Sequence, residues 1–153
     1  MAGVLRIDLS IFSLSKGVEN TLSTWKTTTF LSKTQFVNSD GRYLRAIGSP
    51  NLDIKNCNFS DGATLMTGDG KGILAENLAM LTLVFSRFTN LSSAKSGGAI
   101  KLYSTGTPPS NQDLYLQTNI FTNNSALMHG GALYMENLKL AAFYYNTFSL
   151  NKA

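Results

Sequence analysis

Hydrophobic and polar residues alternate at the start of the chain, between residues 4 and 12. The apolar positions, which fall on one side of an extended chain, are Leu5, Ile7, Leu9 and Ile11. An alternation with a period of two predicts a half-buried β-strand. The alternation fades over residues 13–35, where the sequence leaves three interpretations open: an irregular first coil, a cap, or a short helix at 18–26.

A second pattern with a much longer period begins at Phe36. The later positions that mark it are also phenylalanines, namely Phe59, Phe88, Phe121 and Phe148. Paired glycines begin nine positions after the second and third of these, at Gly97-Gly98 and Gly130-Gly131, and Gly130 precedes the last phenylalanine by 18 positions. The two intervals together give a repeat period of 27 positions. A period of this size indicates a solenoid, a propeller or another repeat array.

The intervals between the four later phenylalanines are 29, 33 and 27 positions, and the excess over the basic period can be located. A six-residue insertion falls in residues 104–111, and a two-residue insertion falls within Thr64–Asp69. Each unit offers short strand-like pieces separated by Asn, Ser and Gly turns. We therefore predict an all-β protein, a right-handed parallel β-helix of the pectin-lyase type with about five coils. The predicted organisation is an N-terminal segment over residues 1–35, followed by repeats over 36–153.

The residues that mark the repeat have structural roles in such a coil. A glycine permits a positive φ and a close backbone approach where the chain turns into a strand. Each phenylalanine is predicted to pack on its equivalent one coil away. Asparagines follow the phenylalanines, at Asn123, Asn124 and Asn151. Asparagine tolerates the left-handed conformation, and stacked asparagines can form a side-chain ladder.

Composition agrees with this fold and reduces the number of function classes to consider. Charged residues make up only 14% of the chain, and its one cysteine, Cys57, excludes an intrachain disulfide. The net charge is +4, but the lysines and arginines are scattered singly. Nucleic-acid binding is not expected, because it requires clustered cations. No apolar run approaches the ~18 residues that a membrane-spanning helix needs.

The motif GGA[IL], combined with FxxN at this spacing, resembles the repeats of the chlamydial polymorphic outer-membrane proteins. It is also similar to repeats in large β-helical surface proteins of protists, ciliates among them. Gly97–Ile100 and Gly130–Leu133 match the glycine motif, and Phe121–Asn124 and Phe148–Asn151 match FxxN. The resemblance implies an extracellular or cell-surface β-helix that serves in adhesion or as a scaffold. Its implied partners are glycans or the surface proteins of a host or neighbouring cell.

The repeat also predicts where its next glycine pair falls. Adding one period to Gly130 places that pair at about position 157, beyond Ala153. We therefore expect this chain to be a segment of a longer solenoid, with further β-helix coils of the same chain as its neighbours.

Polysaccharide lyases and glycoside hydrolases built on β-helices need clustered carboxylates. Acidic residues are dispersed here, and the best pair is Glu76 and Glu136, which the repeat places two coils apart with Tyr103 between them. Two strand spacings correspond to about 9–10 Å, near the upper limit of about 6.5–9.5 Å for inverting glycosidases. A structural role is favoured for both glutamates.

No metal site or cofactor is expected. The loop Thr67–Gly72 lacks the upstream Gly, the Ser or Thr and the helix that a phosphate-binding loop requires, so we interpret it as solvated. His129 has no second histidine or acidic residue near it in the sequence and is interpreted as a turn residue. The predicted contact surface is the flat side of the solenoid with the 104–112 loop, and its candidate exposed aromatics are Tyr103, Tyr115, Tyr134 and Tyr144.

These patterns favour a non-enzymatic structural or adhesive β-helix segment of a large surface protein. The alternative is a carbohydrate-active β-helix, similar to polysaccharide lyases or glycoside hydrolases, or a glycan-binding module.

Overall fold

The computed structural model describes residues 3–13, 20–62, 65–106 and 112–153. All regular secondary structure in these ranges is β-strand. In chain order the strands are β1 (Gly3–Asp8), β2 (Ile11–Ser13), β3 (Asn20–Trp25), β4 (Thr27–Ser32), β5 (Gln35–Val37), β6 (Arg42–Ile47), β7 (Asn51–Lys55), β8 (Asn58–Ser60), β9 (Ile73–Glu76), β10 (Met80–Val84), β11 (Arg87–Thr89), β12 (Ser92–Ser93), β13 (Ile100–Tyr103), β14 (Asp113–Gln117), β15 (Ile120–Thr122), β16 (Ser125–Ala126), β17 (Leu133–Glu136), β18 (Leu140–Tyr144) and β19 (Thr147–Ser149).

The strands form three long parallel sheets and one short one. Sheet 1 has the order β1-β4-β7-β10-β14-β18, sheet 2 has the order β2-β5-β8-β11-β15-β19, and sheet 3 has the order β3-β6-β9-β13-β17. A two-stranded sheet, β12-β16, occupies one corner of two later coils. Every strand pairs with its equivalent one coil away. The prediction of an all-β parallel β-helix is confirmed, with six strands in sheets 1 and 2 and five in sheet 3.

The inward positions of sheet 1 form the predicted ladder. Leu52 and Ile54 of β7 align with Leu81 and Leu83 of β10, and all four are buried. The ladder continues through Leu114 and Leu116 to Ala141 and Phe143. Alternate residues of the same strands, such as Asp53, therefore point away from the core.

A column of phenylalanine rings runs through the whole interior. Phe36, Phe59, Phe88, Phe121 and Phe148 stack nearly parallel, with ring centroids 4.7–5.0 Å apart, as the sequence predicts. Phe12, which the sequence pattern did not identify, stacks on Phe36 at 4.9 Å. The column fixes which residue of one coil lies over which residue of the next.

Of the interpretations left open for the N-terminal region, the strands agree with a coil. Residues 20–35 contain β3, β4 and the start of β5, which belong to the same three sheets as the later coils, so they form neither a helix nor a separate cap. The predicted single strand over residues 4–12 is two strands with a turn at Leu9, whose φ is 50°. Leu9 and Ile11 are consequently exposed instead of facing the core with Leu5 and Ile7. Residues 14–19 lie outside the described ranges.

Glycine and asparagine serve the turns as predicted. Gly97 has a φ of 68°, and a Cβ on Gly98 would collide with the carbonyl oxygens of Gly131 and Ser125. Asn123 has a φ of 53°. Its neighbour Asn124 belongs to a ladder of side-chain hydrogen bonds that joins three successive coils.

The side-chain oxygen of Asn124 accepts a hydrogen bond from the N–H of Leu91 at 3.1 Å, and its amide group donates to the carbonyl of Phe88 at 3.0 Å. The oxygen of Asn151 in turn accepts from the N–H of Asn124 at 3.0 Å. A second ladder, at the turn between sheets 1 and 2, contains Ser86, Asn119 and Asn146. It ends at the backbone N–H of the buried Cys57, whose thiol pKa is raised by burial.

The loop Thr67–Gly72 is not solvated throughout, because Lys71 is fully buried. Its Nζ donates to the carbonyl oxygens of Ser39 and Asp40, at 2.7 Å each, and lies 5.9 Å from the centre of the buried Tyr43 ring. Burial lowers the pKa of Lys71 to about 8. The second coil turns this corner over a short connection between β5 and β6, so the lysine stem and the tyrosine ring fill the space inside it.

The two-residue insertion lies slightly earlier than predicted. Ser60 pairs with Thr89, an offset of 29, whereas Met66 pairs with Ser93, an offset of 27. The additional residues therefore fall between Ser60 and Met66, not within Thr64–Asp69 as a whole. The six-residue insertion lies between β13 and β14, and residues 107–111 of it are outside the described part of the chain. Within the described ranges, no helix is long and apolar enough to cross a membrane.

Candidate functional site

The outward side of sheet 3 carries the predicted glutamate column. Tyr103 of β13 aligns with Glu76 of β9 on one side and Glu136 of β17 on the other, as the repeat predicts. Two parallel strand spacings of about 4.8 Å separate the backbones of the glutamates by about 9.6 Å. The tyrosine between them occupies the space that a water or a glycosidic bond would need.

Each glutamate of this column lies beside a tyrosine. The hydroxyl of Tyr134 donates to Oε2 of Glu136 at 3.2 Å, and this contact raises the pKa of Tyr134. Burial, together with the neighbouring carboxylate of Glu76, raises the pKa of Tyr103 to about 12. Both phenols therefore stay protonated through the neutral pH range.

Lys101 completes this network on sheet 3. Its Nζ lies 3.1 Å from Oδ2 of Asp69 and 5.0 and 5.4 Å from the ring centres of Tyr103 and Tyr134. Oδ1 of Asp69 accepts the backbone N–H of Ser96 at 2.9 Å. We call these residues the sheet 3 network: Glu76, Asp69, Lys101, Tyr103, Tyr134 and Glu136. Asp69 and Lys101 pair across neighbouring coils, whereas Tyr134 and Glu136 are bonded within one strand.

Two other features of this region bear on chemistry. The ring of His129 lies 6.0 Å from the ring of Tyr134, at the exposed corner before Gly130. Among the residues that the structure describes, no group of three His, Cys, Asp or Glu side chains could hold a metal ion.

The four candidate tyrosines do not form one surface. Tyr103 and Tyr134 lie on sheet 3, whereas Tyr115 and Tyr144 lie on the outward side of sheet 1, with ring centroids 5.5 Å apart. The hydroxyl of Tyr115 donates to Oε1 of Gln117 at 2.8 Å. The expectation that these four tyrosines share one side of the solenoid is therefore wrong, because β13 and β17 belong to sheet 3 whereas β14 and β18 belong to sheet 1.

The outward side of sheet 1 contains a groove of about 450 Å³, between β1 and β10. One column of side chains crosses it in the order Arg6, Phe30, Asp53 and Thr82, and continues to Tyr115. The small side chains of Asp53 and Thr82 follow Phe30 in this column. A parallel column contributes Asp8, Ser32, Lys55 and Val84.

Two charged groups of this groove, unlike Asp69 and Lys101 on sheet 3, have no partner in the described part of the protein. The side chains of Asp53 and Lys55 have no hydrogen bond or ion pair to any other described residue, although Asp53 is half-buried. The guanidinium of Arg6 lies 5.0 Å from the centre of the Phe30 ring. The groove thus combines an aromatic wall with unpaired donors and acceptors.

Sequence reasoning missed the groove residues because no motif joins them. Arg6, Phe30, Asp53 and Thr82 are separated by 24, 23 and 29 positions, and only the exact strand register brings them into one column. A signal was present in the alternation of β7, where Asp53 and Lys55 flank the inward Ile54. No protein-family model, curated protein or solved structure matches this chain, so no relative indicates which of the two faces is functional.

Proposed function

We propose that this chain is a non-enzymatic structural or adhesive β-helix segment of a large extracellular or cell-surface protein. One observation carries the proposal: the polar side chains of the turns and of sheet 3 are engaged in bonds from one coil to the next. Asn124 and Asn119 satisfy backbone groups of neighbouring coils, and Lys101 forms an ion pair with Asp69 of the preceding coil. Residues engaged in this way support a rigid stack and leave few groups for covalent chemistry.

The location at a cell surface is part of the same proposal and is supported by the resemblance of the GGA[IL] and FxxN repeats. The proposed partners are glycans or proteins of a neighbouring surface, bound on the side of the solenoid.

The carbohydrate-active alternative depends on Glu76 and Glu136, which do share one column of sheet 3. Tyr103 separates them, and Glu136 already accepts a hydrogen bond from Tyr134. An inverting mechanism needs an acid and a base with water between them. The occupied space between the glutamates favours the structural interpretation.

Binding without turnover is the experimental signature of the proposed function. Purified protein is passed over immobilised neutral polysaccharides and polyuronides, and the length of the eluted polysaccharide is measured by size-exclusion chromatography. We expect retention on at least one polysaccharide and no change in its length. Shortening by the wild-type protein that disappears in Glu76→Gln or Glu136→Gln would overturn the proposal in favour of an enzyme.

A further inference from the structure

We propose that the groove on sheet 1 is a binding site for a short neutral saccharide that lies along the solenoid axis. This inference rests on the adhesive part of the proposed function and names the ligand class and the residues that would bind it. The groove is open and, at about 450 Å³, falls within the ~300–1,000 Å³ typical of small-molecule sites.

The charges in the groove exclude a strongly charged ligand. Arg6 and Lys55 supply two cations, and Asp8 and Asp53 supply two carboxylates, so the lining is close to neutral at pH 7. A nucleic acid or a polyuronide would need an excess of cations. A neutral ligand with many hydroxyl groups can instead donate to the carboxylates and accept from the arginine and lysine at once.

The position of the groove disfavours a peptide. Extended peptides usually add to a free sheet edge, where unpaired backbone groups give most of the affinity. The groove lies over β4 and β7, whose edges are both paired with neighbouring strands. The backbone groups of these strands are used within the sheet, and recognition must therefore come from hydroxyls, charged groups and the aromatic wall.

The shape of the groove matches a saccharide with one apolar face. The groove runs from β1 to β10, three strand spacings or about 14 Å, which spans a disaccharide or trisaccharide. The electron-rich ring face of Phe30 attracts the weakly positive C–H groups of a pyranose. Asp53, unpaired and half-buried beside this wall, is placed to accept hydrogen bonds from ring hydroxyls.

The test uses the full chain, with maltotriose, cellotriose and mannotriose as neutral probes and trigalacturonate as the charged probe. Binding is measured by isothermal titration calorimetry and by backbone amide shifts in NMR spectra. We expect at least one neutral trisaccharide to bind saturably in the millimolar range or tighter and to shift amides of β4, β7 and β10. Asp53→Ala and Phe30→Ala should each weaken binding by about tenfold or more.

Glu76→Gln serves as the control, because it removes a carboxylate of the sheet 3 network and should leave the affinity unchanged. Asp53 points outward from the core, so Asp53→Ala keeps the test valid if Phe30→Ala folds poorly. The groove proposal is overturned if no neutral trisaccharide binds, if both groove variants bind as tightly as wild type, or if trigalacturonate binds best. Binding that is lost in Glu76→Gln alone would overturn the groove site while leaving the adhesive proposal intact. Shortening of the saccharide would instead overturn the proposed function.

Discussion

The outward faces of sheets 1 and 3 carry similar residues, but the two faces differ in whether those residues are paired with one another. On sheet 3, Asp69 and Lys101 of neighbouring coils form an ion pair, and Tyr134 donates a hydrogen bond to Glu136 of its own strand. On sheet 1, Asp53 and Lys55 face a groove without a partner among the described residues. Paired charges in a solenoid hold coils together, whereas unpaired ones beside an aromatic wall remain available to a ligand. The presence of charged and aromatic residues is thus less informative than whether they satisfy one another.

The largest expected contrast is between two phenylalanines. Phe88 is fully buried in the stack between Phe59 and Phe121, so Phe88→Ala should lower the free energy of unfolding by about 3–5 kcal/mol. Phe30 is half-buried at the groove, and Phe30→Ala should lower it by only about 1 kcal/mol. Urea denaturation measures both values. Equal losses would mean that the groove wall is part of the core, contrary to our assignment.

Two lysines give the next contrast, through the dependence of stability on pH. The pKa of Lys71 is about 8 in the folded protein, below its ordinary value of 10.5, so the unfolded chain binds more protons between these pH values. Stability should therefore rise by up to about 3 kcal/mol as the pH increases through this window. Above pH 10, Tyr43 and Tyr103 act in the opposite direction, because their folded pKa values of about 12 favour the protonated, folded state.

Denaturation between about pH 8 and about pH 10 isolates the lysine effect. Lys71→Met should abolish the rise, since methionine fills the corner without a charge, while Lys55→Met in the groove should keep it. A rise that persists in Lys71→Met would assign the pH dependence to another group.

Two asparagines test the turn ladder against the outward surface. Asn124→Ala leaves the N–H of Leu91 without its partner and should cost about 2–3 kcal/mol in unfolding free energy. Asn51 is exposed on the outward side of β7, and Asn51→Ala should change stability by less than about 0.5 kcal/mol. Thermal or urea unfolding of the pair provides the measurement, and a cost at Asn51 as large as at Asn124 would contradict the division between paired and unpaired groups.

Two aspartates give the smallest and most direct contrast. Asp69→Asn removes the ion pair with Lys101 and should cost about 1 kcal/mol, less at high salt because the pair is partly exposed. Asp53→Asn removes an unpaired carboxylate and should leave stability within about 0.5 kcal/mol of wild type. Unfolding measured at low and high ionic strength distinguishes them; a salt-dependent loss in Asp53→Asn would reveal a partner for that carboxylate.

The fold could be predicted from the sequence because the residues that mark the repeat are also the ones that other residue types are least able to replace in the packing. Only phenylalanine at one position per coil builds the column, and only glycine fits at Gly98, where the backbone of the next coil approaches. The N-terminal coils lack the second of these markers, the paired glycines. At the equivalent corner Arg42 replaces a glycine, and its guanidinium bonds to the carbonyls of Asp69 and Gly70. That corner is held by a side chain, so no glycine pair marks it.

The candidate site was predictable only in part. The sheet 3 column of Glu76, Tyr103 and Glu136 follows from counting positions after each glycine pair, and the structure places these residues as counted. The groove depends on outward side chains of coils that have different lengths. Aligning these side chains requires the strand register of the early coils. That register could not be counted from the sequence, because Phe12 had not been identified as a marker of the repeat. Neither the pairing of Asp69 nor the lack of a partner for Asp53 could be read from residue types.

The unequal coil lengths have a consequence for how such a gene can change. Successive phenylalanines of the column are separated by 24, 23, 29, 33 and 27 positions, yet every ring stacks on its neighbour at 4.7–5.0 Å. Additional residues, such as those between Ser60 and Met66, are confined to corners. Codons can therefore be gained or lost at the corners without altering which side chains meet in the stack, and new surface loops can arise while the older coils keep their alignment.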